Sequence, residues 1–142
     1  MVNGIVIQAV LFLALLLWAS AIDIRTRTLP DRLHVFIALI SLIVFQPGNL
    51  FGIATALPFL FMAMVCGGIG GGDIKLMAAS GLVLGFSYGI LAQIMGLSLL
   101  LIYYGCYYLV QRGRGKRIQR SFPLAPFLAA GCICSYFMKL GG

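Results

Sequence analysis

The chain contains no glutamate, only three aspartates and a single histidine in 142 residues. Only 9% of its residues are charged and 62% are hydrophobic, whereas an ordinary soluble domain is about 25% charged. Such a chain cannot clothe a soluble surface, so it reads as an integral membrane protein. Its four cysteines, Cys66, Cys106, Cys132 and Cys134, form no C-x-x-C pair, and His34 has no second histidine to join it. That spacing does not suit a structural zinc site. The cysteines read as small apolar helix residues, and no cofactor or metal is expected. No lysine or arginine precedes Arg25. A signal peptide opens with positive charge, so the apolar run Ile5 to Trp18 reads as a retained first span, although Ala19-Ser20-Ala21 resembles a cleavage site.

What is present is a series of apolar segments, at about 4–22, 33–46, 50–66, 74–87, 88–110 and 122–138. They predict an all-α, polytopic bundle of about six transmembrane helices, forming a single domain over 1–142. A full span needs roughly 20 residues. The short second and fourth segments are therefore expected to pack inside the bundle or to open into a water-accessible cavity. Gly81 and Gly85 lie at a spacing that permits close helix approach; glycine is also simply common in membrane helices.

With six spans, nine of the ten basic residues fall on one side. These are Arg25, Arg27 and Arg32 in the first loop, Lys75 after the third span, and Arg112, Arg114, Lys116, Arg117 and Arg120 in the fifth loop. Only Lys139 falls on the other. The positive-inside rule places that side in the cytoplasm and both termini outside. The net charge of +7 then reads as topology signal and contact with anionic membrane lipid, with no nucleic-acid partner.

The same parity returns Asp23 and Asp73 to one face, since a two-span hairpin separates them. An ionisable residue at the edge of a span is a functional-site candidate by default. Asp23 ends the first span; it serves there either as a polar interface residue near Arg25 and Arg27 or as part of a site. Asp73 follows Gly67-Gly68-Ile69-Gly70-Gly71-Gly72 and opens a helix, where it serves either as an N-cap or as part of the same site. Two aspartates sharing a site resist ionising together and titrate as a pair holding one proton. Such a pair can activate water with its ionised member and protonate a peptide carbonyl with its neutral one.

Three ordered stretches carry a resemblance. They are Asp23 to Asp31 with its Leu29-Pro30-Asp31 end, Gly70-Gly71-Gly72-Asp73-Ile74-Lys75-Leu76 with small residues behind it, and Phe122 to Ala129. Together they resemble the type IV prepilin peptidase family, whose relatives include the archaeal preflagellin peptidases. These are GxGD-type intramembrane aspartyl proteases. The resemblance implies a membrane peptidase that removes short basic leaders from pilin-like precursor proteins near the cytoplasmic face of the inner (plasma) membrane. It implies Asp23 and Asp73 as the catalytic residues and Gly70 and Gly72 as shapers of the loop beside Asp73. Asp31 is secondary, as a cap of the second span or a substrate-side residue. Lys75 either snorkels to headgroups or tunes the pair. Many bacterial members also carry an N-terminal segment with paired C-x-x-C motifs and methylate the new N-terminus. This chain opens on its first span, so a peptidase without N-methyltransferase activity is expected.

The remaining features read more plainly. The Arg112 to Arg120 loop reads as a topology anchor. His34 reads as an interfacial residue. Tyr103, Tyr104, Tyr107 and Tyr108 read as bundle packing and interfacial anchoring, or as a place for a substrate helix. Two other functions use the same acids: a small proton- or cation-coupled transporter, and a non-catalytic pilus or secretion assembly subunit.

Overall fold

Helix α1 (Val2–Thr26) opens the chain, followed by α2 (Asp31–Ile40), a 3-10 segment (Pro47–Ala56), α3 (Leu57–Cys66), α4 (Gly71–Leu84), α5 (Phe86–Gly113) and α6 (Ala125–Gly141). The computed structural model describes residues 2–117 and 122–142; Arg120 of the basic loop lies outside them. No strand occurs among the described residues. The all-α expectation holds, and the element boundaries have local causes. α1 runs through Asp23 to Thr26 and stops where Arg27 turns left-handed (φ 54°), its N–H still bonded to the Asp23 carbonyl at 2.9 Å. A left-handed residue just past the last turn is a common helix stop. Gly67 and Gly68 also take positive φ, which glycine tolerates without steric penalty, and α3 ends there. Gly85 (φ 84°) separates α4 from α5. The fourth apolar segment, expected over 74–87, therefore ends at Leu84, and Phe86 already belongs to α5.

The third apolar segment is two elements rather than one continuous α-helix. Its first half is wound as a 3-10 helix because the backbone must sit against α4 and keep its polar groups paired. A Cβ on Gly52 would collide with the Gly81 carbonyl, and one on Gly81 with the Gly52 carbonyl. The small-residue spacing at Gly81 and Gly85 thus serves two purposes: Gly81 allows backbone contact, and Gly85 ends a helix. The Thr55 hydroxyl donates to the Gly52 carbonyl at 2.6 Å or the Met77 carbonyl at 3.1 Å, and Gln93 donates to the Thr55 carbonyl. In a bilayer, irregular backbone is tolerated only where protein satisfies it in this way.

α1, Pro47–Cys66 and α5 are long and apolar enough to cross a membrane, at 25, 20 and 28 residues. α2, α4 and α6 are shorter. α2 and α4 touch one another, and α6 packs on both α1 and α5. The core gathers Phe12 and Leu16 of α1, Ile37 of α2, Leu76 and Leu84 of α4, and Leu128 of α6. Cys132 is buried among them, while Cys66, Cys106 and Cys134 are exposed. Large apolar side chains such as Val10, Trp18, Phe61, Met64 and Leu101 stay exposed, the surface a lipid phase accepts and water does not. This is a membrane protein.

Contacts sort the helix ends into two groups. At one end, Gln8 of α1 donates to the Ile40 carbonyl closing α2, the Tyr136 hydroxyl of α6 reaches Gln8, and Lys139 donates to the Val83 carbonyl of α4. At the other end, Asp23 meets Ala125 and Asp31 meets Lys75. The chain runs back and forth between these ends, bringing the close of α1 and the start of α4 together.

Candidate active site

Asp23 occupies the last turns of α1 and is buried. Its Oδ2 accepts the backbone N–H of Ala125 at 3.0 Å. Ala125 is the first residue of α6, whose opening N–H groups have no partner within the helix and whose dipole is positive at that end. A carboxylate offers only acceptors, so the donor is well matched. The sequence singled out the Phe122 to Ala129 stretch only by its family resemblance; in the structure that stretch supplies this contact. Phe122 itself packs edge-on against Tyr103, Tyr104 and Tyr107, with ring centroids 5.0–5.8 Å apart. The tyrosine group of α5 thereby fixes the approach to α6.

Asp73 lies in the first turn of α4, one residue ahead of the fourth apolar segment, and is half-buried. It is not the N-cap. Gly70 holds that position, and no side chain caps the helix. The Asp73 Oδ1 is buried without a hydrogen-bond partner. Burial first, and the Asp23 charge second, push the Asp73 carboxyl up to about 6.

Both carboxylates line one cavity of about 280 Å³, together with Arg27, Thr28, Leu29 and Gly70 to Gly72. Of the two motif glycines, Gly70 leaves room for Asp73: a Cβ there would come within 3.3 Å of the Asp73 Oδ2. Gly72 receives Leu29, whose Cβ would stand 3.0 Å from an added Cβ. Leu29 and Thr28 are wall residues the sequence reading passed over. Their signal was their place in the Asp23 to Asp31 stretch, read for its charged residues. No group of three or more His, Cys, Asp or Glu side chains able to hold a metal ion occurs among the described residues.

Asp31 and Lys75 stand outside this cavity. Asp31 does not cap α2, where Pro30 is the N-cap and no side-chain cap bond forms. Its Oδ1 accepts from Lys75 Nζ at 2.6 Å, and both side chains are exposed. Lys75 holds the Asp31 carboxyl below the usual carboxylate range, through the hydrogen bond first and its charge second. Lys75 is thus paired, rather than turned to the two cavity aspartates. His34, near the start of α2, is buried.

Arranged this way, one carboxylate is held by a backbone donor and the other is half-buried with an unsatisfied oxygen, in a cavity shared with a glycine-rich loop. The model of the type IV leader peptidase family matches residues 10–106, a stretch that contains both aspartates and the glycine run. A prepilin leader peptidase/N-methyltransferase of Bacillus subtilis (strain 168) is 36% identical over 140 residues, covering 90% of this chain and 54% of that protein. The chain therefore spans about half the length of this curated relative. No solved structure matches. With two thirds of its length matched by the family model, the chain belongs to the type IV leader peptidase family.

Proposed function

We propose that the protein is a membrane aspartyl endopeptidase that cleaves leader peptides from pilin-like precursors at the cytoplasmic face, using Asp23 and Asp73 to activate water. The observation that carries this reading is the shared cavity, in which the two aspartates have opposite surroundings. Burial raises the proton affinity of Asp73, and a carboxyl kept protonated beside a second carboxylate lets one site supply both acid and base. Asp23 takes a proton from water as the water oxygen attacks the scissile carbonyl carbon. Protonated Asp73 gives its proton to the carbonyl oxygen. Collapse of the tetrahedral diol then breaks the C–N bond, with a proton passing to the leaving nitrogen, and the pair is left with one proton again. The family membership supports the same chemistry.

An apolar groove of about 590 Å³ between Phe59, Ile69, Leu101 and Phe122 shares the glycine run through Gly68. It suits a substrate whose chain is apolar on one side of the cut. The basic residues gathered at the cavity end favour the cytoplasmic side.

The test is cleavage, in detergent or liposomes, of a pilin precursor with a basic leader and an apolar helix after the cut. Wild type should cleave it, and Asp23→Asn and Asp73→Asn should not. Cleavage retained in either folded variant would refute the paired mechanism. Proton or cation flux in liposomes without cleavage would favour transport.

A further inference from the structure

Asp31 is the third and last acid of the chain, and the proposed chemistry does not use it. It stands at the exposed start of α2, two residues after Leu29, which lines the cavity and packs on Gly72. Its partner Lys75 is two residues after Asp73 on α4. The Asp31–Lys75 pair therefore ties together the two stretches that carry the cavity walls. It is an exposed pair, with side-chain accessibilities of 75% for Asp31 and 56% for Lys75. Such pairs are held weakly and exchange readily with other ions.

The surroundings make Asp31 distinctive. Arg25, Arg27 and Arg32 flank it in sequence, and the chain carries a net charge of +7. A cationic peptide approaching this end meets repulsion from almost every charge. Asp23 and Asp73 lie in the cavity, which leaves Asp31 as the one acid displayed outside it. Its present ligand, an ammonium on a flexible stem, is the group a lysine of such a peptide would bring.

We propose that Asp31 receives a cationic side chain of the peptide substrate, and that Lys75 occupies this position in the resting enzyme until the substrate displaces it. This rests on the peptidase reading and adds to it a residue that selects substrates by charge. Lys75 acts as an internal competitor, so its removal strengthens selection and the removal of Asp31 abolishes it.

The experiment compares kcat/KM for two precursors that differ only in one leader residue, lysine or glutamine. The enzymes are wild type, Asp31→Asn and Lys75→Gln. Wild type should prefer the lysine leader by about twofold to fivefold, the range an exposed ion pair supports. That ratio should fall to about one in Asp31→Asn, rise in Lys75→Gln, and shrink with added salt in wild type. Asp31→Lys should reverse the preference toward a glutamate leader, which a merely structural role for Asp31 would not produce. An unchanged ratio in Asp31→Asn, or no preference in wild type, overturns the proposal while leaving the peptidase intact. Failure of folded wild type to cleave either precursor removes the peptidase reading itself, and this inference with it.

Discussion

The Asp23 carboxylate accepts the Ala125 backbone N–H at 3.0 Å, although 102 residues of sequence lie between them. This bond fastens the end of α1 to the start of α6. It also gives the two cavity aspartates unlike environments, since no hydrogen bond reaches the Asp73 Oδ1.

Asp23→Asn and Asp23→Ala are expected to part company in stability but not in activity. Asparagine keeps a side-chain oxygen for the Ala125 N–H, so the protein should stay folded. Alanine strands that buried donor, at a cost of about 1–3 kcal/mol. Both should lose activity by about 100-fold or more, the range for a missing general base. Thermal unfolding in detergent beside the cleavage assay checks both expectations.

Asp73 behaves in the opposite sense. Its folded proton affinity, about 6, exceeds the reference 3.8. The associated stability is therefore fully present below about 3.8 and is lost as pH rises through about 6. Asp73→Asn should flatten stability against pH over that window, and should cost no stability at neutral pH, because an unsatisfied buried carboxylate has been removed. Wild-type activity should decline on the alkaline side of about 6 as Asp73 loses the proton it donates. Unfolding and cleavage rates across pH 4 to 8 give the comparison.

The sequence placed Asp23 and Asp73 at one face because charge parity and a two-span hairpin are properties of segment order, and segment order survives errors of a few residues. It could not choose between a cap and a site role for Asp73, and it left Asp31 and Lys75 without partners. Those facts depend on where α4 starts and on which helices lie side by side, and apolar segments carry almost no such information. The 3-10 winding of Pro47–Ala56 was hidden for the same reason. It answers to Gly52, Thr55, Met77, Gly81 and Gln93 meeting from separate elements.

Gly81 and Gly105 make a matched pair of opposite sign. A Cβ at Gly81 would run into the Gly52 carbonyl, whereas Gly105 has open space around it. Gly81→Ala should destabilise the protein by about 1–3 kcal/mol through overpacking against backbone that has little room to shift. Gly105→Ala, within α5, should be neutral or stabilising by up to about 1 kcal/mol from helix propensity. Equal effects at the two positions would contradict the close approach of α4 to the 3-10 segment.

Phe122 tests whether packing far from the chemistry sets the site. It does not line the cavity of the two aspartates, but Tyr103, Tyr104 and Tyr107 hold it edge-on three residues before Ala125. Each such aromatic pair contributes about 0.5–1.5 kcal/mol beyond buried area. Phe122→Ala should therefore loosen the entry to α6, and with it the donor on Asp23. A shift of the reacting groups by about 1 Å can cost two orders of magnitude, so a drop of about tenfold or more in kcat is expected. Phe122→Tyr keeps the ring and should retain most activity. Measuring kcat separately from KM distinguishes this from a lost substrate contact. If Phe122→Ala raises KM and leaves kcat intact, the aromatic cluster serves the apolar groove rather than the position of Asp23.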